Sequence, residues 1–323
     1  MLLFLPLCGL PYAAAFAAWV SINLVLLGWV VWFGRRHLLP VLCPGRRWPR
    51  LAVTAAALAY FPALITLSLG QVSILLLSLF ALALWWYQRG HDGRAGLVLA
   101  AGLFKFHLLL PLLLCLAAAR RWRLLGGFLL GAAGVGLLSF AVAGPRWPAE
   151  YAGLIWDLSG TGPADERLIK VAIMPNLRAL VMAAAAGRLS PSGAQALTLG
   201  LSALLLVPVV WLWRRYPAPA GRRSNRHWAL AVSVALWVAY HSYVYDYMLL
   251  LIPLALAADY ALPGPDRAGA RWALGLLTLF FLTPIPYYLF LTGAWRGPMF
   301  AGQVALMAAL WFESYSEFSQ PRT

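Results

Sequence analysis

Residues 94–120 read RAGLVLAAGLFKFHLLLPLLLCLAAAR, an apolar run with an arginine at each end and a single lysine, Lys105, near its middle. Residues 95–119 are enough for one membrane helix, which needs roughly 20 residues at about 1.5 Å each. The flanks argue otherwise. Arg89 and Arg94 precede the run, and Arg120, Arg121 and Arg123 follow it. Short connections rich in Lys and Arg stay on the cytoplasmic side of a membrane. Two same-side flanks require an even number of crossings, so the pattern predicts a hairpin of two short arms turning near Lys105.

The same parity holds between Arg226 and Arg267. The apolar run at 228–262 is interrupted there by His241, Ser242, Tyr243, Val244, Tyr245 and Asp246. A third turn of this kind falls at Gly70 and Gln71, between apolar runs at 51–69 and 72–87. Arms of about 10 to 16 residues reach only about 15–24 Å, short of the ~30 Å hydrocarbon core. Their polar tips are therefore expected below the outer membrane surface, and three recessed tips on one face predict a cavity. Ionisable groups at membrane depth, here Lys105 and Asp246, usually face a wet cavity or a partner.

Composition supports a bilayer as the solvent. The chain has 323 residues, 63% hydrophobic and 11% charged, with mean hydropathy +0.77; soluble domains run at roughly 45–50% and about 25%. Disordered, disulfide-scaffold and cytosolic enzyme classes are excluded. Further apolar runs lie at 12–33, 124–143, 192–213, 272–291 and 301–312. The predicted fold is all-α, a polytopic transmembrane bundle of about nine to eleven membrane helices counting the short arms. It is read as one transmembrane domain over 1–323 in the cell (inner) membrane. The formal charge of +15 comes from arginine bursts between apolar runs, several beside Trp32, Trp48, Trp122, Trp213, Trp228 and Trp272. That is the pattern of topology signals and interfacial aromatics, so no nucleic-acid partner is expected. Cys8, Cys43 and Cys115 show no metal-ligand or redox spacing, and neither a metal nor a cofactor is expected.

The longest polar stretch, 144–191, is expected to be an extracytoplasmic loop with short interfacial helices near 149–158 and 177–186. It carries Glu150, Trp156, Asp157, Asp165, Glu166, Asn176 and Arg178. Long loops in compact proteins are commonly functional. Gly127 and Gly131 have the small-xxx-small spacing of close helix packing. There is no Gly-rich phosphate loop, HExxH or nucleophile elbow. The run at 12–33 leads into basic Arg35, which puts Met1 on the outer face. The reading therefore expects at least one crossing upstream of Met1, or residues 1–10 as the inner half of a helix broken at Pro11.

Motifs in order along the chain resemble the polytopic GT-C-type glycosyltransferases of family 87. They are Phe4-Leu5-Pro6-Leu7 with Pro11-Tyr12, Trp19 and Asn23, Gly70-Gln71-Val72-Ser73, Arg89-Gly90 and Leu103-Phe104-Lys105. Then come Arg120-Arg121-Trp122-Arg123, Gly144-Pro145 with Trp147 and Tyr151, and Tyr245-Asp246-Tyr247. The resemblance implies an inverting transfer of a hexosyl group, often mannosyl, from a polyprenyl-phosphate sugar to an extracytoplasmic lipid or glycan acceptor. A phosphate leaving group needs cationic stabilisation. Lys105 is the expected source, with His107, Gln71, His241, Asn176, Arg178 and Tyr243 as substrate-binding helpers. The resemblance also implies a carboxylate base in the first outer loop, expected upstream of Met1. Within the chain Asp246 is the first candidate, then Asp157 and Glu150. The other reading of the same charges is a transporter or flippase of a lipid-linked or anionic solute.

Overall fold

The structure is a computed structural model that describes residues 2–39, 47–159, 171–215, 222–261, 268–293 and 295–316. It is all-α, with no strand among the described residues. A 3-10 turn at Leu2–Leu7 precedes α1 (Tyr12–Phe33), which continues into a π turn at Gly34–Leu38. Next come α2 (Arg47–Leu58), α3 (Phe61–Ser68), α4 (Ser73–Gln88), α5 (Asp92–Ala100), α6 (Phe106–Ala118), α7 (Trp122–Ala143) and α8 (Trp147–Ser159). They are followed by α9 (Leu177–Ala185), α10 (Pro191–Arg215), α11 (Arg222–Val238), a 3-10 turn at Val244–Leu250 and α12 (Leu251–Ala261). The chain closes with α13 (Ala268–Leu282), α14 (Ile285–Leu291) and α15 (Gly297–Ser316).

Among the described residues, three helices are long and apolar enough to cross a bilayer: α1 with its π turn, α7 and α10. Two bent pairs, α5 with α6 and α13 with α14, raise the number to five if each is one span. Shorter apolar helices account for three further expected crossings: α4, Val244–Ala258 and α15 up to Phe312. The long helices are peripheral, and only 22%, 17% and 22% of their apolar windows are buried. The outward residues are Leu24 and Val25 on α1, Leu129, Leu130, Leu137 and Leu138 on α7, and Leu197, Leu199 and Leu204 on α10. Continuous exposed leucine on three helices is what hydrocarbon, not water, accommodates.

The short elements form the interior. α4 is apolar on every face and buries Ile74, Leu76, Leu77, Phe80, Ala81, Ala83 and Leu84, while α11 is buried from Asn225 to its end at Val238. α4 packs against α1, α5 and the 3-10 turn, and α11 against α6, α12 and α15. α5 and α7 approach each other closely through glycine. A β-carbon on Gly96 would overlap the Leu124 carbonyl oxygen, and one on Gly127 would overlap Gly93. This is the close approach that the small-xxx-small spacing predicts.

Several breaks fall where the sequence places them, and several do not. α5 and α6 separate at Ala101–Lys105, but they bend by 65°. That is short of the reversal of a hairpin, because Leu103–Lys105 forms a single 3-10 turn and not a loop. The predicted span at 51–69 is two helices, parted at Ala59 and Tyr60 just before Pro62, which sits in the first turn of α3. The predicted span at 272–291 is likewise parted, at Thr283 and Pro284, by 53°. In the stretch 144–191 the two helices near the predicted positions are α8 and α9. α8 packs on α7, whereas α9 is built into the bundle against α10, with Leu177, Arg178, Ala179, Val181 and Ala185 buried. Its Asn176 and Arg178 therefore belong to the interior and not to a surface helix. Residues 160–170, with Asp165 and Glu166, and the side chains of Trp156 and Asp157 lie outside the described residues.

Candidate active site

Three interruptions of the helical pattern converge on one point. Ser73 opens α4 after the Gly70–Val72 turn, Lys105 ends the 3-10 turn between α5 and α6, and Asp246 lies in the 3-10 turn before α12. Gly70 has φ +60°, a conformation that glycine adopts without strain, and its carbonyl accepts from Trp19 Nε1 at 2.9 Å. Irregular backbone at membrane depth is tolerated where protein surrounds it. These three segments surround one another.

Lys105 Nζ forms an ion pair with Asp246 Oδ1 and donates to Ser73 Oγ at 2.8 Å. Ser73 Oγ in turn donates to Asp246 Oδ1 at 3.2 Å, and the Tyr243 backbone N–H donates to Asp246 Oδ2 at 3.0 Å. The ammonium also lies 4.7 Å from the centroid of the Tyr245 ring, a cation–π distance. Lys105 is 6% exposed, Asp246 1% and Ser73 0%. Burying two charges costs several kcal/mol per ion unless pairing and further hydrogen bonds offset it. Here both oxygens of the carboxylate and two directions of the ammonium are satisfied. The N-terminus of α4 adds a partial positive charge beside the carboxylate.

A line of nitrogen-bearing and aromatic groups leads away from the pair. His107, two residues after Lys105, has its ring centroid 6.0 Å from that of His241. His241 packs edge-on against Tyr240 at 4.8 Å, and the Arg178 guanidinium lies 3.9 Å over the Tyr240 ring. Asn176 stands at the same junction. Its Nδ2 donates to the Ala239 carbonyl at 2.9 Å, while its Oδ1 accepts from Ala179 N–H at 3.0 Å and caps α9. Tyr243 stacks on Tyr245, with centroids 5.4 Å apart.

The structure therefore brings together Lys105, Asp246, His107, His241, Tyr243, Asn176 and Arg178. Gln71 is half-buried in the turn that leads to Ser73, and its backbone N–H donates to the Thr66 carbonyl at 2.8 Å. Glu150 is exposed on α8, and among the described residues no hydrogen bond or ion pair joins it to the cluster. Two features escape a reading of the sequence. One is Ser73, which appears only as a motif residue with nothing to mark its hydroxyl. The other is a buried tyrosine network beneath Asp246. Tyr60 OH donates to the Tyr247 carbonyl at 2.9 Å and lies 2.9 Å from Tyr287 OH. Tyr247 OH donates to the Pro175 carbonyl, which also accepts from Gln303 Nε2 at 3.0 Å. Aromatic residues in apolar helices carry no sign of such partners.

Neither a curated protein nor a solved structure matches the chain. A family profile does match: that of glycosyltransferase family 87, over residues 1–242 of the 323. The match takes in Ser73, Lys105, His107, Asn176, Arg178 and His241, and it ends just before Tyr243 and Asp246. A polytopic helical bundle with a charged cluster enclosed among its broken helices is thus matched over most of its length by one enzyme family, and the chain belongs to glycosyltransferase family 87, the membrane glycosyltransferases.

Proposed function

We propose that the chain transfers a hexosyl group, mannosyl foremost, from a polyprenyl-phosphate sugar to an extracytoplasmic lipid or glycan acceptor, and that Lys105 and Asp246 carry the reaction. The observation behind this reading is the buried Lys105–Ser73–Asp246 cluster with His107 and His241 beside it. With no substrate bound the two charges neutralise each other, which suits a site at membrane depth. A phosphate entering next to Lys105 competes with the carboxylate for the ammonium. As the ammonium turns to the phosphate, Asp246 Oδ1 loses its strongest donor and becomes able to accept a proton.

The acceptor hydroxyl oxygen then bonds to the anomeric carbon from the face opposite the phosphate. The bond between the anomeric carbon and the phosphate oxygen breaks, and its electron pair leaves on the phosphate. The hydroxyl proton passes to Asp246. Lys105, with His107, His241 and Arg178 farther along the line, stabilises the developing charge where water is scarce, which is where such stabilisation is strongest. Tyr243 and Tyr245 offer a stacked aromatic face for a sugar ring. Gln71 supplies an amide hydrogen bond, Asn176 holds α9 and its Arg178 in place through its bonds to Ala239 and Ala179, and Glu150, exposed on α8, is the candidate for acceptor binding.

The test uses membranes carrying the chain and a labelled polyprenyl-phosphate hexose. Lys105→Met alone leaves a buried carboxylate unpaired, which costs ~3–5 kcal/mol and lowers protein level. The double variant Lys105→Met/Asp246→Asn restores neutrality. It is expected to insert and melt close to the parent while transfer falls by about 100-fold or more, the scale of losing one electrostatic stabiliser. Transfer recovered in the double variant would reduce the pair to a structural element and overturn the assignment.

A further inference from the structure

At the end of the bundle away from Lys105, α6 and α10 part to leave a groove of about 740 Å³. Its walls are apolar, with Leu114 and Ala118 on α6 and Leu206 and Val210 on α10, and it ends at Arg214 and Arg215. The volume is within the range of about 300–1,000 Å³ that small-molecule sites occupy. From Ala203 to Arg215 the groove runs roughly 18 Å along α10, about the depth of one leaflet of a ~30 Å hydrocarbon core.

The charged end is built from more than one element. Arg121 Nη2 reaches the Trp213 carbonyl at 3.4 Å, which brings the basic connection between α6 and α7 to the same place. Trp211 lines the groove there and lies 5.6 Å from Trp311, at the level where tryptophan marks a headgroup region. Arg214 and Arg215 are exposed and form no ion pair with a carboxylate among the described residues. A hydrocarbon-lined slot one leaflet deep, closed by two guanidinium groups, is complementary to a chain with an anionic head. A zwitterionic lipid fills the walls but brings its own cation to the arginines. The groove begins about 13 Å along α6 from Lys105, too far for its headgroup end to be where the sugar reacts.

We propose that this groove holds one anionic phospholipid of the leaflet on the arginine side, with an acyl chain between α6 and α10 and its phosphate on Arg214 and Arg215. Arginine binds phosphate bidentately, and each basic residue near a membrane surface adds to the attraction for anionic lipid. This proposal does not depend on which sugar donor the enzyme uses.

Native mass spectrometry of the full chain tests it, with the detergent-purified protein titrated with equal amounts of phosphatidylglycerol and phosphatidylcholine. The parent is expected to retain one phosphatidylglycerol per chain with a preference on the order of ten-fold. Arg214→Gln/Arg215→Gln is expected to bring that preference near unity, and Arg188→Gln, at an exposed position in the turn between α9 and α10, to leave it unchanged. Leu206→Trp fills the slot with the charge intact and is expected to reduce retention as well. Equal retention of the two lipids by the parent, or an undiminished preference in the double arginine variant, overturns the proposal. So does a lipid-free dimer, which would assign the groove to a second copy of the chain.

Discussion

Ser73 is the smallest member of the cluster and links both charges. Its hydroxyl accepts from Lys105 and donates to Asp246, and the side chain is fully buried. Ser73→Ala removes both bonds where no bulk water replaces them, a cost of ~1–3 kcal/mol. The expected outcome is a lower melting temperature in detergent together with reduced transfer, because the ammonium loses the partner that aligns it. Parent-like melting and turnover in that variant would count against a shared role for the three residues. The sequence points to Lys105 and Asp246 because a charge in an apolar run is costly and therefore conspicuous. A serine costs little there, so nothing in the sequence singles it out.

At the scale of elements, the position of α5 is set by glycine contact with α7, and α5 leads directly into the turn that carries Lys105. Alanine at Gly96 or Gly127 would place a β-carbon against backbone atoms of the facing helix, which cannot move aside as a side chain can. Overpacking of this kind costs ~1–3 kcal/mol. Gly96→Ala and Gly127→Ala are expected to lower thermal stability, measured by size-exclusion after heating, and to lower transfer as Lys105 shifts. Gly136→Ala, where nothing lies within 4 Å of the added carbon, is expected to be neutral or slightly stabilising, since alanine favours helix over glycine by up to about 1 kcal/mol. The tyrosine network works at the same scale. Through Tyr60, Tyr247 and the Pro175 carbonyl it joins α3, the turn bearing Asp246 and the segment before α9. The cluster thus rests on contacts among at least three elements far apart in the chain.

Across the whole molecule, 25 basic residues stand against 10 acidic ones, and the basic residues gather in connections between helices. The proposed orientation puts those connections in the cytoplasm and α8 outside. With Cys8, Cys43 and Cys115 replaced by serine, a cysteine at Glu150 is expected to react with a membrane-impermeant maleimide in intact cells. One at Arg123, exposed at the start of α7, is expected to react only after permeabilisation. The reverse pattern would put the candidate site on the cytoplasmic side and remove the reason for a lipid-carried donor. Short interior helices surrounded by longer lipid-facing ones give the bundle an interior in which the broken elements can be irregular without exposing backbone to lipid.

The sequence by itself determined the solvent, the helical class and several of the places where helices break. Each of these follows from local quantities: hydropathy summed along a run, arginine at its ends, and polar or glycine residues that interrupt it. It also set Lys105 and Asp246 apart from the helices around them, since an ionisable group among leucines needs a partner. Only the tertiary structure decided that the two meet directly, that Ser73 joins them, and that α9 carries Asn176 and Arg178 into the interior. It also decided that α5 and α6 bend by 65° where a hairpin was expected. Those outcomes depend on contacts between positions 32 and 141 residues apart and more, and on how closely glycine lets two helices approach. Neither quantity is written in any single stretch of the chain.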